Sequence, residues 1–127
     1  MTTMATVFAV TAATLVTLWG VAHVIPTRQV LRGFEPIPID NRRIILQEWL
    51  AEAFTMWGIA ALIVSVTVAA GAGSSASHWV YRASAGLLLA LAALTTVTGA
   101  RTPVVWFKIC PVLLTVSAIL LVSASLS

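Results

Sequence analysis

The stretch IILQEWLAEAFTMWGIAALIVSVTVAA (residues 44–70) decides how the chain is read. It is long and apolar enough to cross a bilayer, since about 20 predominantly apolar residues span the hydrocarbon core. Yet it carries Gln47, Glu48 and Glu52 near its start. Carboxylates are expensive in hydrocarbon, so acids within a membrane segment face a protein interior, find a partner or take up a proton. The spacing of four places Glu48 and Glu52 on one helix face, roughly 6 Å apart at Cβ.

Three more segments outside this stretch are of the same kind: about 5–25 (ATVFAVTAATLVTLWGVAHVI), about 78–99 and about 103–125. With 60% hydrophobic and 9% charged residues in 127 and a mean hydropathy of +1.03, an ordinary soluble domain is excluded. The expectation is one all-α membrane domain over residues 1–127, a four-helix bundle with antiparallel up-down topology, no soluble appendage and no internal repeat. The first segment lacks a basic region before it and exceeds a signal-peptide core, so it reads as a retained helix.

Cys110 is the single cysteine, which excludes a disulfide framework and a CxxC redox pair of the vitamin K epoxide reductase kind. The formal charge of +3 reflects scarce acids and loop arginines. No basic patch is interleaved with aromatics, so no nucleic-acid partner is expected. Arg28, Arg32, Arg42 and Arg43 lie in the loop at about 26–43, and Arg101 lies in the turn before the fourth segment. The positive-inside rule places these loops in the cytoplasm and both termini outside an inner (cytoplasmic) membrane.

The turns carry their own signals. Gly71, Gly73 and the serines after them suit a helix hairpin; Gly99 suits a helix end and Pro103 a helix first turn. Asp40 or Asn41 is placed to cap the second segment, and Pro111 falls inside the fourth. In the loop, Phe34, Pro36, Ile37 and Pro38 fit either a lid lying in the interface or a proline-stiffened connector.

On this topology the polar residues gather at one end. Glu48 and Glu52 lie roughly 5 to 13 Å deep at a rise of about 1.5 Å per residue, at the level of His23, Arg101 and Lys108, with Thr95, Thr96 and Thr98 close by. His23 and Lys108 also fit plain interfacial positions, and Trp79 and Trp106 fit an aromatic belt. The sharper reading is a pocket in which Glu48, Glu52 and His23 are catalytic and Trp19, Trp49, Trp57, Trp106, Phe107, Arg101 and Lys108 bind substrate. A structural ion pair between a glutamate and Arg101, Lys108 or His23 is the simpler alternative.

Desolvation and a like charge nearby favour the neutral form of a carboxyl, the form a proton donor needs. Aromatic faces stabilise a carbocation without attacking it. An isoprenoid alkene or epoxide in the bilayer suits such a site, with protonation, rearrangement and deprotonation giving cyclisation or isomerisation without a cofactor. No HExxH or His-rich motif supports a metal, and no Asp-rich motif supports magnesium diphosphate.

The run GFEPIPIDNRRIILQEWLAEAFTMWGIAAL (residues 33–62) resembles the central stretch of small actinobacterial four-helix membrane proteins, of the membrane-bound terpene cyclase type. The resemblance covers about a quarter of the chain. It implies protonation-initiated cyclisation of a prenyl chain, with Glu48 or Glu52 as the acid. Two other classes stay open. One is a small multidrug-type exporter exchanging protons for lipophilic cations, although such exporters carry the essential acid in helix 1, which has none here. The other is an accessory subunit of a membrane complex. Ala83, Gly86, Ala90 and Ala93 allow close packing within the chain or in a homo-oligomer.

Overall fold

Proline and serine set where the two central helices begin. Pro38, with ψ at 145°, stands immediately before the longest helix, and Ser74 before the next, where its side chain accepts a hydrogen bond from the Ser77 N–H at 3.1 Å. The computed structural model describes residues 2–127, with side chains from Met4 onward. Every regular element among them is helical: α1 (Thr2–Val24), α2 (Thr27–Arg32), α3 (Ile39–Ala70), α4 (Ser75–Val97), a 3-10 turn (Gly99–Arg101) and α5 (Val105–Leu126). Helices α1, α3, α4 and α5 are each long and apolar enough to cross a membrane.

Several boundaries differ from the sequence reading. α3 starts at Ile39, five residues before the apolar stretch, because a helix does not stop where its side chains become polar. Asp40 therefore lies inside the first turn and bonds Arg43 at 3.1 Å instead of capping the helix. The expected plain loop at 26–43 contains α2, pinned to the bundle by buried Leu31. α4 ends at Val97, so Gly99 opens the 3-10 turn, and Pro103 stands outside α5, whose first residue is Val105. Pro111 does lie within α5.

The four long helices close a ring: α1 packs on α3 and α5, and α4 on α5 and α3. On α1 the buried face is made of Ala5, Ala9, Ala12, Ala13 and Val16, which recur at three- and four-residue steps and so share one side. Small residues let helix axes approach closely. α1 is also tightly packed on α3 at Gly20, where a Cβ would lie 2.6 Å from Trp57 Nε1. Tyr81, Met56, Leu88 and Leu114 fill the interior.

Large apolar side chains point outward as well: Val68 is 81% exposed and Val112 64%. Ala83, Gly86, Ala90 and Ala93 are exposed on the side of α4 away from Tyr81 and Leu88, so they do not pack within this chain. At the ends of α3, α4 and α5 away from Glu52 lies a hydrogen-bonded set that the sequence reading did not resolve. Thr67 Oγ1 and Tyr81 Oη are 2.6 Å apart, Ser77 Oγ donates to the Gly71 carbonyl at 2.7 Å, and Arg82 donates to Ser125 Oγ at 3.2 Å and to its carbonyl at 3.3 Å.

Candidate active site

His23 lies in the last turn of α1 and Trp49 in the third turn of α3, and the packing of these helices brings the two rings together. The imidazole stacks on the indole, with centroids 3.9 Å apart and planes 21° from parallel. His23 Nε2 is 3.0 Å from the Trp49 carbonyl and 3.6 Å from Glu52 Oε2. Both neighbours are acceptors, so this nitrogen carries a proton and the carbonyl selects the tautomer. The His23 side chain is 8% exposed and that of Glu52 33%, which leaves the carboxyl as the accessible member of the pair.

Trp49 joins this pair to two further elements. Its Nε1 donates to Thr27 Oγ1 on α2 at 3.2 Å, and Phe107 of α5 meets it edge-on at 6.3 Å. An edge-to-face arrangement brings the positive ring edge to the negative π face. Trp19 donates its indole N–H to the buried Cys110 sulfur at 3.2 Å. Side chains from α1, α2 and α5 thus meet around Trp49, three residues before Glu52 on α3.

Glu48 and Glu52 are not equivalent. Four residues overshoot one helical turn by about 40° at 3.6 residues per turn, so both acids cannot face the centre of the contact equally. Glu52 is half-buried against His23; Glu48 is exposed and, among the described residues, has a single long hydrogen bond, from Gln47 at 3.4 Å. Of the partners the sequence offered, His23 lies 3.6 Å from Glu52, and neither glutamate pairs with Arg101 or Lys108 among the described residues.

The other predicted binding residues divide. Trp57 reaches α1, donating to the Thr17 carbonyl at 3.3 Å, and its ring lies 5.8 Å from Phe54. Trp106 is 67% exposed, and Arg101 and Lys108 are exposed. None of these three makes a hydrogen bond, ion pair or ring contact with His23 or Glu52 among the described residues.

Two shallow, open concavities lie along α1 and α3. One is lined by Thr17, Trp57, Ala60, Ala61 and Val64, and an adjoining one by Val10, Ala13, Thr14, Thr17, Leu18 and Val64. Trp57, which lines one of these concavities, packs on Gly20, one turn before His23 on α1.

Among the described residues no three His, Cys, Asp or Glu side chains converge as metal ligands. Sequence reasoning passed over Thr27 and gave Cys110 no place in the site; their partners are 22 and 91 residues away. Comparison with family models, curated proteins and solved structures yields no match.

Proposed function

We propose that the chain is a multi-pass enzyme of the cytoplasmic membrane. It catalyses proton-initiated cyclisation or isomerisation of a lipophilic isoprenoid-type substrate, with Glu52 as the acid. The observation that carries this reading is the half-buried Glu52 carboxyl 3.6 Å from the buried, donor-bearing Nε2 of His23, whose ring stacks on Trp49. Four apolar helices with outward-facing Val, Leu and Ile support residence in a bilayer. His23 meets Trp49, whereas Thr17, earlier on α1, meets Trp57, later on α3. These contacts support an antiparallel up-down bundle. The arginine distribution favours a cytoplasmic position for the Glu52 end and an outside position for both termini.

The step balances within the protein and its substrate. The neutral Glu52 carboxyl gives its proton to an alkene carbon or epoxide oxygen; the carboxyl O–H breaks and a C–H or O–H bond forms. The resulting carboxylate faces His23 Nε2–H, which stabilises the new charge. Trp49, Trp57 and Phe107 supply π faces for the carbocation. The carbocation rearranges or closes a ring, then loses a proton from a neighbouring carbon to the Glu52 carboxylate, which restores the acid. His23 acts as a positioning residue, and the groove beside Trp57 accommodates the substrate's hydrocarbon chain.

The test is incubation of membranes holding the protein with prenylated alkenes and epoxides in D₂O. Mass spectrometry should find products isomeric with the substrates, those from alkenes carrying solvent deuterium on carbon and those from epoxides carrying it only on the new hydroxyl. The reading is contradicted if no product forms across a panel spanning chain length and both functional groups.

A further inference from the structure

The seven basic residues of the chain are unequally engaged, and the difference points to a second ligand. Arg42 faces Glu35 at 3.8 Å and Arg43 faces Asp40 at 3.1 Å, so the two acids of the 26–43 segment are each matched. Arg82 is tied to Ser125, at the other end of the bundle from Glu52. The remaining four, Arg28, Arg32, Arg101 and Lys108, are exposed and have no acidic partner among the described residues.

These four charges occupy one end of the molecule. Arg28 follows Thr27, which holds the Trp49 indole, and Arg32 lies one turn later on α2, beside buried Leu31. Arg101 ends the 3-10 turn, whose Gly99 packs against Phe107. Lys108 follows Phe107, and Phe107 touches Trp49. All four backbone positions therefore lie at the end of the bundle that holds the Trp49 indole. Large apolar side chains stand among them: Phe34 is 51% exposed and Trp106 67%. Fixed cations interspersed with exposed apolar groups complement a surface of phosphates above hydrocarbon.

We infer that Arg28, Arg32, Arg101 and Lys108 form a collar that binds the phosphate headgroups of anionic phospholipids at the Glu52 end of the bundle. Arg42 and Arg43 contribute little, because their charges are already met by Glu35 and Asp40. The inference depends on the bundle residing in a bilayer and is independent of any chemistry at Glu52, so a protein inactive on prenyl substrates would still show it.

The experiment measures binding of dansyl-labelled phosphatidylglycerol to the full-length protein in nonionic micelles, by energy transfer from its indoles. Unlabelled phosphatidylglycerol, phosphatidylcholine and inorganic phosphate serve as competitors. Phosphatidylglycerol should compete at least about tenfold better than phosphatidylcholine, and added salt should weaken the difference. Substituting Arg28, Arg32, Arg101 and Lys108 by Gln should remove the preference, with about a fivefold loss per cation, the factor matching about 1 kcal/mol per basic residue at an anionic surface. Arg42→Gln with Arg43→Gln should stay within about twofold, as expected for charges already paired at the surface.

Helix content by circular dichroism checks that each variant is folded. If the fourfold variant does not fold, Arg28→Gln/Arg32→Gln and Arg101→Gln/Lys108→Gln are read separately, each with the same loss per charge. Equal competition by the two lipids would overturn the inference. So would an equal loss in the Arg42/Arg43 variant, and displacement by inorganic phosphate as effective as by lipid would assign the site to a small anion instead.

Discussion

Gly20→Ala should destabilise the bundle although alanine is the better helix former. An added Cβ would lie 2.6 Å from Trp57 Nε1, 2.9 Å from Cδ1 and 3.3 Å from Cε2, well inside the roughly 3.5–4.0 Å at which carbon contacts are favourable. The indole is rigid, so relief requires moving the whole ring and breaking its 3.3 Å bond to the Thr17 carbonyl. Overpacking of this kind costs about 1–3 kcal/mol, and the lost hydrogen bond about 1 kcal/mol more. The alanine preference returns about 1 kcal/mol, leaving a net loss of about 1–3 kcal/mol. Gly86→Ala is the control: no atom lies within 4 Å of its Cβ position, so it should stabilise α4 by about 0.5–1 kcal/mol. The assay is loss of helical circular dichroism during SDS titration in nonionic micelles. Trp57→Leu should relieve the effect of Gly20→Ala, giving a coupling of about 1 kcal/mol in a double-mutant cycle. A Gly20→Ala protein as stable as the wild type, or strict additivity with Trp57→Leu, would refute the close packing of α1 on α3.

Three further outcomes follow from the contacts. Ser74→Ala should lower stability by about 1 kcal/mol through loss of its bond with the Ser77 N–H, whereas Asp40→Ala should change it by less than about 0.5 kcal/mol, since Asp40 makes only an exposed pair with Arg43; the same titration reads both. Tyr81→Phe should cost about 0.5–1.5 kcal/mol, because the buried phenol loses its 2.6 Å partner while Thr67 keeps its bond to the Ile63 carbonyl. Cys110, 4% exposed, should react slowly with a maleimide in nonionic micelles and completely once SDS has unfolded the chain; rapid labelling of the folded protein would contradict its place beside Trp19.

Apolar run length made the four long helices readable from sequence. Their ends were less so, because helix formation and hydrophobicity stop at different places. Ile39 to Arg43 continue α3 beyond its apolar stretch, and proline at 38 marks the start better than Asp40 or Asn41. The Ser74 cap was within reach, since a serine three residues before its backbone partner is a local signal. At the site, carboxylates in an apolar segment singled out Glu48 and Glu52, and the chain topology brought His23 to their level. The separation of the two acids depends on helix rotation: a 40° offset is small on a helical wheel yet puts Glu52 against His23 and Glu48 outside. The bonds from Trp19 to Cys110 and from Trp49 to Thr27 depend on tertiary packing between different helices, and no local motif announces them.

The difference between the two glutamates provides the most direct test of the proposed chemistry. Membranes carrying wild type, Glu48→Gln or Glu52→Gln, at matched protein levels and confirmed helicity, are given the same prenyl substrate in D₂O, and the rate of deuterium appearance on product carbon is measured. The account predicts that Glu48→Gln retains the wild-type rate within a few-fold and that Glu52→Gln loses about 100-fold or more, the usual range for removing a positioned acid. Undiminished deuteration by Glu52→Gln, or equal losses in both variants, would contradict the assignment of Glu52 as the proton donor.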